Sequence, residues 1–238
     1  MRKVMKYVIT FIIGLLFFPH LSIAKETVSP FSEQVRAFVG HIVNDNNKHV
    51  EGIAKDDFKA LSEGQAPRAT VVACSDSRVQ TKAFNNNPVN DLFFIRNIGN
   101  QIKSAEGSVE YGINHLHTPV LLIIGHSHCG AIQAALSDYS KESKAIRQEL
   151  DNLHLPKSTK LNQGVVENVN HQVNYARNKF KNKIAKKELI VIGAIYDFRD
   201  DYHQGHGRLI IINLNGEENA AKIKADPLIK GVDVHTLD

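Results

Sequence analysis

The sequence predicts an α/β protein: a mostly parallel β-sheet flanked by helices, with an N-terminal helical arm. Two apolar, β-branched runs carry the strand half of this reading, residues 69–73 (Ala-Thr-Val-Val-Ala) and 120–124 (Val-Leu-Leu-Ile-Ile). Neither alternates polar with apolar, and each is bounded by turn residues, so both read as strands buried on two faces, which is how parallel strands are placed. The helix half rests on residues 162–180, where Val165, Val166, Val169, Val173 and Ala176 form one stripe. Strands alternating with such segments imply crossover helices over a parallel sheet.

Taken in order, apolar residues at 31, 35, 38, 39, 42 and 43 predict an amphipathic helix over 31–50, with Ser32 as its N-cap. A second short helix is expected over 55–61. The first strand ends at Cys74, and 92–95 forms the next. Residues 106–116 read as a helix, broken at His117-Thr118-Pro119 before the strand that runs into Gly125-His126. A helix over 130–136 follows. The last strands are 189–195 and 209–212, joined by a hairpin loop over 196–208. Pro227 and its polar neighbours mark a C-terminal tail without an assigned element.

Arg2, Lys3 and Lys6 precede an apolar run over 7–18, and Ser22-Ile23-Ala24 offers a small-x-small cleavage site. This predicts a signal peptide over 1–24 and a periplasmic location, with no stable membrane association after cleavage, and the remaining length suits a single α/β domain over 25–238. The alternative is an uncleaved anchor, although the run is short for a membrane span. The formal charge is +4, and removal of the three leader cations leaves 26 basic against 25 acidic residues. That balance gives no support to a nucleic-acid partner. The basic residues between 177 and 187 are interrupted by apolar ones and read as the solvated face and end of a helix.

The chain has two cysteines. Cys74 opens Cys-Ser-Asp-Ser-Arg and Cys129 closes His-Ser-His-Cys, each directly after a strand. Two thiolates and the His126 imidazole form a ligand set for catalytic zinc with a fourth position left for water. In an oxidising compartment the competing reading is a disulfide; it requires neither Asp76-x-Arg78 nor a histidine three residues before Cys129. Arg78 can hold the Asp76 carboxylate bidentately if the local backbone is extended; the alternative is a simple loop salt bridge. His126 could equally be a satisfied buried histidine were it not for Gly125 and Cys129 beside it. His128 could relay protons or point away. His203 and His206 could hold a second metal or be a solvated loop.

These motifs resemble those of the β-class carbonic anhydrases, whose zinc signature is Cys-x-Asp-x-Arg followed some fifty residues later by His-x-x-Cys. The likeness continues through Phe93-Phe94-Ile95-Arg96-Asn97-Ile98-Gly99-Asn100, Gly107-Ser108-Val109-Glu110-Tyr111 and Gly125 to Gly130-Ala131, and spans residues 31–213. It implies a Zn2+ cofactor on Cys74, His126 and Cys129, catalytic roles for Asp76 and Arg78, and reversible hydration of carbon dioxide to bicarbonate and a proton. It also implies a slot for the substrate made by Gln65, Phe93, Ile98, Tyr111 and Gly130. Part of that slot comes from a second subunit in the family, so the resemblance implies a homodimer or higher homo-oligomer. One branch carries a Trp three residues before the first zinc cysteine, where it helps form a noncatalytic bicarbonate pocket. Val71 stands there and the chain has no Trp, which favours the plant-type, open-site branch in exported form. The same chemistry could serve a carbonyl sulfide or carbon disulfide hydrolase on this scaffold; a noncatalytic, disulfide-linked binding protein is the alternative from another class.

Overall fold

The computed structural model describes residues 29–237; the expected signal peptide lies outside them. Two compact units divide at Phe58 and Lys59. The first contains helix α1 (Pro30–Gly52), whose N-cap is Ser29, not Ser32. Ser29 Oγ accepts the Ser32 amide at 3.2 Å, and Pro30 occupies the first turn, where its missing N–H costs nothing. The stripe of Phe31, Val35, Phe38, Val39, Ile42 and Val43 is present and exposed throughout, from 46 to 74 %. Helix α2 (Lys55–Ser62) follows.

The second unit is built on a six-stranded sheet of order β2-β1-β3-β4-β5-β6. Its strands are β1 (Ala69–Cys74), β2 (Leu92–Asn97), β3 (Val120–His126), β4 (Ile190–Asp197), β5 (Arg208–Leu214) and β6 (His235–Thr236). All neighbours are parallel except β4 and β5, which form the expected hairpin. Six of six β1 residues are buried, as its unbroken apolar run requires. The register pairs Cys74 with Asn97 and His126 with Tyr196, so the carboxyl ends of the first four strands lie along one edge.

Helices α3 (Glu106–Glu110), α4 (Gly130–Leu136), α5 (Lys144–Asp151), α6 (Leu161–Lys179), α7 (Lys181–Ala185) and α8 (Ala220–Ala225) complete the unit. Helix α6 lies against β3 and β4 and buries Val165, Val169, Val173 and Ala176. Its buried face also contains Asn168 and Gln172, which apolar periodicity cannot reveal. They reach the loop after β2: Asn168 Nδ2 donates to the Gly99 carbonyl (2.9 Å), and Gln172 Oε1 accepts the Ile102 amide (2.9 Å). Gly125 lets this helix approach, because a Cβ there would lie 2.6 Å from Val169 Cγ2.

Three expectations need correction. The helix expected over 106–116 is α-helical only to Glu110; residues Tyr111–His115 form a π-helical turn. The cause is local: Thr118 Oγ1 donates to the Gly112 carbonyl and pairs with Thr70 Oγ1 at 2.7 Å, while a Cβ at Gly112 would collide with Thr70. Helix α5 is an addition to the expected elements, half of its residues being charged; Ser143 caps it and Leu150 anchors it. The tail has structure: Asn219 caps α8, and β6 pairs with β5.

Candidate metal centre and its loops

Strands β1 and β3 each end in a ligand-bearing loop. Cys74 closes β1, His126 closes β3, and Cys129 caps α4. Cys74, His126 and Cys129 are all buried, and their ligand atoms lie within 4.8 Å of one another. Among the described residues this is the single such group of three. The two sulfurs are 4.0 Å apart and unbridged, which contradicts a disulfide at about 2.05 Å. Two thiolates bound tetrahedrally to zinc at about 2.3 Å stand roughly 3.8 Å apart.

The histidine is prepared in the same sense. Its Nδ1 donates to the Ser127 carbonyl at 3.0 Å, leaving the lone pair on Nε2. That atom is fully buried and has no hydrogen-bond partner. A buried orphan acceptor is costly in a native interior; beside two thiols, a soft cation is the group that satisfies it. The thiols share their proton. A hydrogen bond donated by Cys129 draws the Cys74 thiol down, aided by the Gly99 amide against the cost of burial. The same contact, with burial, pushes Cys129 well up. The donor set therefore fits zinc.

Asp76 and Arg78 pair as expected. Asp76 Oδ1 accepts from Arg78 Nε (2.9 Å) and from the Arg78 amide (3.0 Å); Oδ2 accepts from Nη2 at 2.7 Å. This fork holds the Asp76 carboxyl well below the usual carboxylate range. Oδ2 lies 3.9 Å from His126 Nε2, so the carboxylate borders the ligand group; Arg78 engages both Oδ1 lone pairs and one on Oδ2, leaving one Oδ2 lone pair free.

Two residues without an assigned role complete the arrangement. The Arg96 guanidinium donates to the Cys74 carbonyl (3.0 and 3.2 Å) and to the Asp76 carbonyl (2.7 Å), pinning the loop that carries Asp76. Phe198 lies just beyond β4, with its ring against both Arg78 and His126. Arg96 was visible only as part of a motif; Phe198 gave no signal beyond being an aromatic at a strand end. His128 is half-buried at φ 53°, and its carbonyl receives Arg78 Nη2 at 3.4 Å. His203 and His206 are exposed.

The slot residues divide. Ile98 packs on the apolar cluster containing Cys74 and Cys129, and Gly130 opens α4 beside Cys129. Phe93 and Tyr111 sit elsewhere. Phe93 is in register with Thr70, four residues before the Cys74–Asn97 pair, or about 13 Å along the strand. It stacks obliquely with Tyr111 at 5.8 Å. Gln65 is exposed and precedes β1 at the end opposite Cys74. A single chain does not bring these three to the thiols.

A family model described as carbonic anhydrase matches residues 69–203, more than half of the chain. A carbonic anhydrase of Synechocystis sp. is 36% identical over 136 residues, covering 48% of this chain and 50% of the relative. Carbonic anhydrase 2 of Mycobacterium tuberculosis is 39% identical over 83 residues, covering 34% and 40%. The chain thus spans about half the length or less of these curated relatives. Among solved structures, the β-carbonic anhydrase CcaA matches with a TM-score of 0.61 at 28% identity, covering 74% of this chain and 88% of that one. A tetrameric β-carbonic anhydrase of Sordaria macrospora shares the fold at TM-score 0.59 and 23% identity, over 76% and 96% of the two chains. Fold and ligand group define a zinc-binding α/β protein. The chain belongs to the carbonic anhydrase family, in its β class.

Proposed function

We propose that this chain catalyses the reversible hydration of carbon dioxide to bicarbonate and a proton. The observation that supports it most is the buried Cys74–His126–Cys129 group with an ionised, arginine-held carboxylate at its border. Zinc bound there supplies Lewis acidity, which makes hydroxide available well below the pKa of free water. Cys74, His126 and Cys129 hold the ion, and the Ser127 carbonyl fixes the imidazole tautomer. Asp76 would accept a hydrogen bond from the nucleophile at its remaining Oδ2 lone pair and so orient it. Arg78 keeps that carboxylate from becoming a ligand itself. Ile98, Ile132 and the aliphatic cluster around the thiols exclude bulk water, which suits a small substrate without net dipole.

Gln65, Phe93 and Tyr111 join this slot when a second copy supplies them, so the functional unit is a homodimer or higher oligomer. Tyr111 is 44% exposed and the α1 stripe is exposed, as surfaces awaiting a copy would be. The enzyme acts in the periplasm after loss of residues 1–24. No helix among the described residues is long and apolar enough to cross a membrane.

The test is stopped-flow carbon dioxide hydration by the chain beginning at Lys25, with metal analysis. Activity that is lost on chelation and restored by zinc is expected. Zinc-loaded protein that leaves carbon dioxide untouched but hydrolyses carbonyl sulfide would overturn the substrate in favour of that related chemistry.

A further inference from the structure

We propose that Phe198 is a positioning residue for the Asp76–Arg78 pair: its ring seats the Arg78 guanidinium and thereby keeps the Asp76 carboxylate turned away from the metal ligands. Arg78 Cζ lies 4.6 Å from the Phe198 centroid, well within cation–π range. The ring also lies near-parallel to the His126 imidazole, 24° off at 5.9 Å. One aromatic side chain therefore touches both the cation that restrains Asp76 and the ring that holds the ion.

Arg78 needs such a seat. Its side chain is 46% exposed, and besides Asp76 its guanidinium has only the long 3.4 Å bond to the His128 carbonyl. An exposed ion pair wanders unless a third contact fixes it. If the guanidinium moves, the carboxylate moves with it, from a point already 3.9 Å from His126 Nε2.

Phe198 is itself held from behind. The buried Asp197 carboxylate accepts the amides of Arg199 (3.3 Å), Asp201 (3.0 Å) and Tyr202 (2.9 Å), which sets the first turn of the hairpin loop. The Phe198 carbonyl accepts His206 Nδ1 at 3.3 Å. Tyr196 meets the Phe198 ring edge-on at 5.7 Å, and the Tyr196 carbonyl accepts the Ser127 amide at 3.1 Å. The end of β4 is thus tied to the loop after β3, and the Phe198 ring just beyond it meets Arg78 of the loop after β1.

The proposal rests on the carbonic anhydrase reading for its activity readout alone. Cobalt(II)-substituted protein gives an independent one, because the visible spectrum reports whether a carboxylate or water completes the ligand set. Phe198→Leu keeps an apolar side chain and removes the π face. It should retain full metal content, shift the cobalt spectrum toward that of Arg78→Ala, and lose about five- to thirtyfold in kcat/KM for carbon dioxide. Phe198→Tyr should stay within about twofold of the parent in both readouts. Phe198→Leu combined with Arg78→Ala should be no worse than Arg78→Ala alone. Parental spectrum and activity in Phe198→Leu would overturn the proposal. So would losses that multiply in the double variant, or a cobalt spectrum that Arg78→Ala leaves unchanged. Phe198→Met is read identically where the Leu variant does not fold. A parent without hydration activity would sink the functional reading while the cobalt spectra still decide the role of Phe198.

Discussion

The carboxyl end of β1 and its middle are about 13 Å apart along one strand, yet they are finished to different degrees. At the carboxyl end the chain completes its own chemistry. Cys74, His126 and Cys129 are 4, 0 and 1% exposed, and every neighbouring loop is latched by a named hydrogen bond. Around Thr70, in register with Phe93, the Phe93–Tyr111 pair has half-buried and exposed members, with Tyr111 stacked only on His115 toward the outside. The first region reads as a site that folding alone assembles. The second is left exposed and away from the thiols by a single chain; under the proposed function a second copy completes it. A test of either region must therefore separate loss of metal from loss of partner.

The largest effect should come from the first region. Cys129→Ser should lose most of its zinc and nearly all activity, because a hydroxyl is a poor ligand where a buried thiolate is required. Metal analysis checks this; a serine variant with stoichiometric zinc would break the ligand assignment. Next is Arg78→Ala, which should keep its zinc and lose about 10- to 100-fold in activity, the worth of charge-assisted bonds. The loss should be greatest near neutral pH, where little hydroxide competes with the freed carboxylate. Arg78→Ala with Asp76→Asn should not be additive, since one fault underlies both.

Much of this was legible in the sequence, and the reasons are local. Unbroken apolar runs before Cys74 and His126 fixed the strand ends, and the strand ends fixed the ligands. Asp76 and Arg78 pair across two residues, so spacing alone could place them. What stayed hidden depends on distance along the chain. Phe198 meets Arg78 across 120 positions, and no pattern of period two or 3.6 encodes such a meeting. Asn168 and Gln172 are buried because they serve the loop after β2, against the polarity that a helix face advertises. The π turn at Tyr111–His115 arises from Thr70 and Thr118 on separate segments. Ser29 displaced Ser32 as the cap because Pro30 is already suited to the first turn.

The second region should respond more mildly. Tyr111→Ala should reduce kcat/KM by about three- to tenfold with zinc unchanged, the scale of a lost aromatic contact. Were Tyr111 only packing, melting temperature would fall and kcat/KM would not, a split that sharpens the contrast between the regions. The smallest effect concerns acid. The folded Asp76 carboxyl titrates below its unfolded value of about 3.9. Its stabilisation is then complete above that value and fades as pH falls toward the folded one. In metal-free protein, the stability difference between the parent and Asp76→Asn should hold constant from pH 8 to 5 and shrink below about pH 4. A difference that already changes between pH 6 and 8 would mean the carboxylate is not held as described.

The central claim is that two thiolates and one imidazole hold a single zinc with one position left for a light ligand. Zinc-edge X-ray absorption on the purified chain from Lys25 at neutral pH reads this directly. The account predicts two sulfur scatterers at about 2.3 Å and two nitrogen or oxygen scatterers at about 2.0–2.1 Å. A zinc shell without sulfur, or with one sulfur, would contradict it.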